Sequence, residues 1–137
     1  MFRALLPALL LILLAGCSLR PAAPSGPPPK PPVDLPADAQ NCLTHQECTL
    51  KTSRTLLFVF AYADAGAPLV VNDNRVLKTP DNVPRNNWPA IRIQLADADG
   101  GRFEFSSDCS QKGCRIKASR LLACYRSYLE GKACRLR

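Results

Sequence analysis

Cysteine spacing constrains this chain more than any other feature. Six of its seven cysteines, Cys42, Cys48, Cys109, Cys114, Cys124 and Cys134, lie in three close pairs along the C-terminal part of the sequence. The proline-dense stretch Pro21–Pro36, PAAPSGPPPKPPVDLP, divides that part from what precedes it. About 100 residues then remain for folding, which is one small domain with a marginal core. Cross-links help such a domain most, at about 2–4 kcal/mol each. An even number of cysteines in a small exported domain implies a disulfide framework. Locality suggests Cys42–Cys48, Cys109–Cys114 and Cys124–Cys134 among the pairings open to six cysteines.

Export is written at the other end. Arg3 supplies a short positive region, and Leu5–Leu14 is apolar apart from Pro7 and small Ala8. That run is shorter than the ~20 apolar residues a bilayer span needs, so it reads as a signal segment. It ends in Leu14-Ala15-Gly16-Cys17. This box resembles the lipobox of bacterial lipoproteins, which a type II signal peptidase reads. The resemblance implies that Cys17 becomes the lipidated N-terminus, carrying diacylglycerol and palmitate-type chains. Each buried methylene adds roughly 0.8 kcal/mol of membrane affinity, so several chains make a lasting anchor. Ser18 stands where an aspartate would imply inner-membrane retention in that family. The resemblance therefore implies the outer membrane, with the domain facing the periplasm.

Between anchor and domain, residues 17–36 form a spacer. Proline fixes φ and lacks a donor, so neither helix nor sheet core can form there. The spacer's sixteen-residue proline-dense part, Pro21–Pro36, reaches roughly 50 Å as extended polyproline II at about 3.1 Å per residue. The chain thus divides into a signal peptide (1–16), a lipidated cysteine with a Pro-rich linker (17–36) and a disulfide-bonded domain (37–137).

Within the domain, Leu56-Leu57-Phe58-Val59-Phe60-Ala61-Tyr62 is short, apolar on both faces and rich in aromatic residues, the pattern of a central strand. Leu69-Val70-Val71 and Val76-Leu77 flank Asn72-Asp73-Asn74-Arg75, a hairpin pattern, since Asn and Asp tolerate a left-handed backbone. The proline- and asparagine-rich stretch 79–89 is a loop. Ile91, Ile93 and Leu95 alternate with polar residues, as do Phe103 and Phe105. Keeping one face apolar selects a three-residue loop, Ala98-Asp99-Gly100. Ile93 then lies opposite Phe105, and Leu95 opposite Phe103. Ala118–Glu130 reads as a helix with an apolar stripe of Leu121, Leu122, Tyr125, Tyr128 and Leu129, capped by Gly131. The expected fold is α+β: a small antiparallel sheet of four or five strands with a C-terminal helix, stapled by up to three disulfides.

Few residues suggest chemistry. His45, the one histidine, sits between Cys42 and Cys48. Zinc would need thiolates there, and an oxidising compartment pairs the cysteines instead. A bridged cysteine is no nucleophile either. Asp97 and Asp99 resemble the start of a calcium loop, but the later ligands and closing glutamate are missing. No GxSxG, HExxH or phosphate-loop motif occurs. The expectation is a non-enzyme without metal or cofactor. Trp88, in a polar loop, is either a binding anchor or a ring folded back onto the core.

Charge is uneven. Residues 110–137 hold eight basic side chains and one acidic one, a net of +7, whereas residues 31–109 hold seven basic and ten acidic ones, a net of −3. The basic tail is either a solvated helix or a dock for an anionic surface, with Arg120, Arg126 and Arg135 as candidate contacts. Nucleic acid is an unsuitable partner, because no aromatic stacking platform accompanies the charge. In organisation alone, the chain resembles pilotin-like and stress-sensor lipoproteins. The expected partners are a bilayer, through the lipid, and an envelope protein with an anionic face. Two functions fit: a binding or assembly accessory of a secretion, conjugation or pilus machine, or an inhibitor, immunity or exclusion lipoprotein. Labelled palmitate is expected to enter the wild-type protein in growing cells and not Cys17→Ala. Equal labelling of the two would remove the anchor.

Overall fold

The computed structural model describes residues 38–109 and 113–136. The signal segment, Cys17, the proline spacer, Lys112 and Arg137 lie outside the described residues. In chain order the elements are β1 (Asn41–Cys42), α1 (His45–Asp64), β2 (Val71–Asp73), β3 (Val76–Lys78), β4 (Ala90–Gln94), β5 (Gly101–Arg102), β6 (Glu104–Asp108) and α2 (Ala118–Leu129). A four-stranded antiparallel sheet has the order β2-β3-β4-β6, and β1 pairs with β5 in a separate two-stranded ribbon. The class is α+β, with an antiparallel sheet, a C-terminal helix and three disulfides. Among the described residues no helix is long and apolar enough to cross a membrane.

One element departs from expectation. Residues 56–62 are not a central strand; they form the second half of the long helix α1. Its start explains why. Thr44 is extended (φ −128°, ψ 155°) and its hydroxyl accepts the Glu47 N–H at 3.2 Å. The Glu47 carboxylate in turn accepts the Leu43 N–H at 2.8 Å. This reciprocal box satisfies donors that a helix start leaves unpaired and sets the helical phase. The buried face is then Cys48, Lys51, Thr55, Phe58 and Tyr62, at helical spacing. Lys51 and Thr55 disguise that stripe in the sequence. Lys51 is satisfied by the Asn41 carbonyl and by Glu47 at 2.8 Å. The Thr55 hydroxyl bonds the Lys51 carbonyl at 2.9 Å.

The sheet follows its alternation. Ile91 and Ile93 are buried and Arg92 between them is exposed. Val71↔Lys78 and Asp73↔Val76 close the first hairpin through Asn74 and Arg75. Both have positive φ, 45° and 69°, as a tight hairpin turn of this hand requires. The Arg75 guanidinium bonds the Ala96 carbonyl and pairs with Asp97 at 3.3 Å, which ties the turn to the neighbouring loop.

Ile93 lies opposite Phe105, as the alternation requires. The expected continuation to Leu95 and Phe103 does not form. The ladder stops at Gln94↔Glu104. Leu95 N–H turns to the Arg75 carbonyl, while Phe103 N–H donates to the Gln40 carbonyl at 2.8 Å. The chain leaves the sheet here to pair with β1. Gly100 permits the departure through its φ of +137°, a backbone conformation that L side chains rarely adopt.

Helix α2 ends as its sequence suggests. Gly131 has φ +81°, its N–H bonds the Tyr128 carbonyl, and Lys132 N–H bonds the Ser127 carbonyl, both at 2.8 Å. This is the left-handed glycine cap. Both helices pack on the sheet face that carries Ile91, Ile93 and Phe105. All three cysteine pairs are the local ones: Cys42–Cys48, Cys109–Cys114 and Cys124–Cys134, with Cα–Cα distances of 5.1, 6.0 and 5.4 Å.

Candidate functional site

The first described residues are clasped to distant parts of the chain. Asp38 accepts the Gln40 N–H at 3.1 Å, and its carboxylate meets Arg102 at 2.9 Å and Arg126 at 3.1 Å. Gln40 is buried: its amide donates to the Phe103 carbonyl at 2.7 Å and accepts from Arg126 Nε at 3.1 Å. Arg102 also donates to the Asn41 side chain at 2.9 Å. Residues 38–41 are thereby joined to β5 and to α2 where the chain enters the domain. The Gln40 backbone N–H, helped by Arg102 and Arg126 against the cost of burial, holds the Asp38 carboxyl below the ordinary aspartate range.

The candidate contact residues fall into different settings. Trp88 is only 2% exposed. Its ring meets Tyr62 edge-to-face at 5.3 Å, and the Arg115 guanidinium lies 5.7 Å over it. The Tyr62 hydroxyl donates to the Pro89 carbonyl. Trp88 therefore pins the 79–89 loop to the core and presents no docking surface. Arg126 is half-buried and engaged in the clasp. Arg120 and Arg135 are exposed and make no ion pair among the described residues. The three arginines are thus not one site: Arg126 has a structural task, and Arg120 and Arg135 are available to solvent.

Little in the described residues converges on chemistry. His45 and Asp99 approach to 3.9 Å, both largely exposed. Among the described residues no group of three His, Cys, Asp or Glu side chains could hold a metal ion. An open depression of about 340 Å³ lies between α1 and the loop after β4, lined by Thr49, Thr52, Arg75, Leu95 and Ala96, without a carboxylate. Burial pushes the pKa of the Tyr62 and Tyr125 hydroxyls up, and each is held in a core contact, Tyr62 by the Pro89 carbonyl and Tyr125 by Thr55 at 3.1 Å.

One feature escapes the sequence pattern. The outward side of α1 exposes Leu50, Leu56, Leu57 and Phe60. A central-strand assignment buries Leu56, Leu57 and Phe60. The Thr44-x-x-Glu47 box was the signal that points to a helix and hence to an outward face. Comparison with protein families, with curated proteins and with solved structures finds no match.

The clasp predicts a pH signature. A lowered Asp38 pKa contributes stability that is present above the ordinary value of 3.8 and is lost as pH falls through the lower folded value. Asp38→Asn should lower stability at neutral pH by about 1 kcal/mol, since both arginines are partly solvated. In denaturant melts the gap between variant and wild type should close below the folded pKa. A gap independent of pH would show that the carboxylate charge is not what holds the segment.

Proposed function

We propose that this chain is an outer-membrane lipoprotein, anchored through Cys17, whose domain is a non-catalytic docking accessory of an envelope machine of the secretion, conjugation or pilus type. Three observations support the proposal. The lipobox-like Leu14-Ala15-Gly16-Cys17 follows an apolar segment too short to span a bilayer. The six remaining cysteines form three local pairs, which suits an oxidising compartment. The domain also exposes large apolar side chains on one helix, which marks an interaction surface more often than an idle one.

The observation that carries the proposal is the combination of a proline spacer with a clasp at residues 38–41. The spacer sets the reach of the domain. The clasp fixes the orientation of the domain's first residues, so tension on the tether is passed to β5 and α2 and not to a loose end. A domain held on a lipid by such a tether meets nearby envelope proteins at high effective concentration. Arg120 and Arg135 would face the anionic part of the partner. Charge of this kind sets encounter rate and orientation more than affinity.

The test is photo-crosslinking in intact cells, with the reactive group at Arg120 in one strain and at Arg135 in another. Adducts with a component of an envelope assembly are expected, weaker in Cys17→Ala. Adducts only with a foreign hydrolase or toxin would replace the proposal with an inhibitory or immunity role.

A further inference from the structure

The three disulfides differ in how far a reductant can reach them. Cys42 and Cys48 are 0% and 1% exposed. Cys124 is 1% exposed and its partner Cys134 is half-buried. Cys109 is exposed and Cys114 half-buried, so neither cysteine of that bridge sits in the core. Gly113, next to it, is exposed, and a Cβ there would meet no atom within 4 Å. The approach from that side is open.

The same bridge joins two parts of the fold. Asp108, just before Cys109, ends β6 opposite Ala90 of β4. Arg115, just after Cys114, donates its N–H to the Asn87 carbonyl at 2.8 Å and sets its guanidinium 5.7 Å from the centre of the Trp88 ring. Ile116 is buried. Residues 113–116 thus form a strap across the Trp88 loop, latched to the end of β6 by the disulfide. Beneath it, the Trp88 indole Nε1 is buried with no hydrogen-bond partner among the described residues. A buried donor without an acceptor favours a state in which water reaches it.

We propose that Cys109–Cys114 is a thiol–disulfide exchange site whose reactant is a dithiol, and that its redox state sets whether the strap covers Trp88. A thiolate of the dithiol attacks Sγ of Cys109, the more exposed residue. The Cys109–Cys114 bond breaks, and its electron pair leaves on Cys114 Sγ, which takes up a proton. The second thiolate of the reactant then attacks the mixed disulfide at the reactant's own sulfur, and Cys109 leaves as a thiolate and is protonated. The protein gains two thiols, and the dithiol, having given up two electrons and two protons, becomes a disulfide. Residues 110–117 include Lys112, Arg115 and Lys117 and no acid, and positive charge of this kind favours a departing thiolate. The other bridges lack this course. Attack on Cys134 expels Cys124 into the core, where burial disfavours a thiolate. Cys42–Cys48 offers no reachable sulfur. Exposed bridges exchange and buried ones persist. With the bridge cut, the strap loses its tie to β6, Arg115 moves off the ring, and the indole N–H gains water as a partner.

The experiment uses the full chain, oxidised, in detergent, with dithiothreitol as the dithiol. At each concentration the free thiols are alkylated and assigned by peptide mass spectrometry. Acrylamide quenching in parallel reads Trp88, the one tryptophan of the chain. Cys109 and Cys114 should be alkylated together at a concentration about tenfold lower than the other four cysteines of the domain, as exposed and buried bridges differ in potential. Quenching of Trp88 should rise over the same range while far-ultraviolet circular dichroism stays constant. Cys109→Ser combined with Cys114→Ser should be quenched before any reductant is added and unchanged by low concentrations of it. The wild-type titration stands by itself where that variant folds poorly. Reduction of all three bridges together, or of another bridge first, would overturn the exchange site. Selective reduction with Trp88 still shielded would overturn the latch.

Discussion

Phe58 is the contact on which the rest of the domain depends. It is fully buried, and its ring meets Tyr62, Phe105, Tyr125 and Tyr128 at centroid distances of 5.1 to 6.2 Å. These partners come from α1 itself, from β6 and from α2. Phe105 and Tyr125 stack at 5.0 Å beneath it, and Tyr62 continues the chain of rings to Trp88. Two helices and a sheet are thus joined through one aromatic cluster, where edge-to-face pairs add roughly 0.5–1.5 kcal/mol beyond their buried area. The outward apolar side of α1 is held in one place because the inward face is packed this firmly. A helix with apolar residues on two sides needs one side fixed before the other can act as a defined surface.

The disulfides do a different job. Their sequence separations are 6, 5 and 10, so each closes a short loop. Short loops constrain the unfolded chain less than long ones, and their value is local. Cys42–Cys48 ties β1 to the first turns of α1, and Cys124–Cys134 ties α2 to the segment that follows it. Long-range order is left to the aromatic cluster and to the Asp38–Arg102–Arg126 clasp, which spans separations of more than sixty residues. The clasp fixes residues 38–41, and the aromatic core behind it holds the two helices on the sheet.

Much of the fold was legible where a local pattern had a single physical meaning. The alternation of Ile91 and Ile93 with Arg92 specified a one-sided strand and placed Ile93 opposite Phe105. The stripe from Leu121 to Leu129 with Gly131 after it specified a capped helix. The spacing of the cysteines specified local bridges. The failures share a cause, which is that distant residues settle the outcome. Leu56–Tyr62 reads as a strand over its seven residues; the cap at Thr44 and the buried Lys51, satisfied by the Asn41 carbonyl, make it a helix from outside that window. Leu95 and Phe103 suit a continued ladder, but β1 competes for the same backbone. Arg126 shows no partner in its own stretch of sequence because Asp38 and Gln40, which it bonds, lie more than eighty residues away. Trp88 could be read either way until Tyr62 and Arg115 were placed around it.

The central claim is that residues 45–64 form one helix with a structural side and an outward side. Phe58 and Phe60 test it directly, because they are the same residue type two positions apart. On a strand they would share a face, whereas on a helix they lie nearly opposite. Denaturant melts of the oxidised protein at low concentration should show Phe58→Ala losing about 3–5 kcal/mol. Phe60→Ala should stay within about 0.5 kcal/mol of wild type, as exposed substitutions do. Equal losses for the two variants, or a larger loss at Phe60, would contradict the helix, its buried aromatic hub and its exposed outward side together.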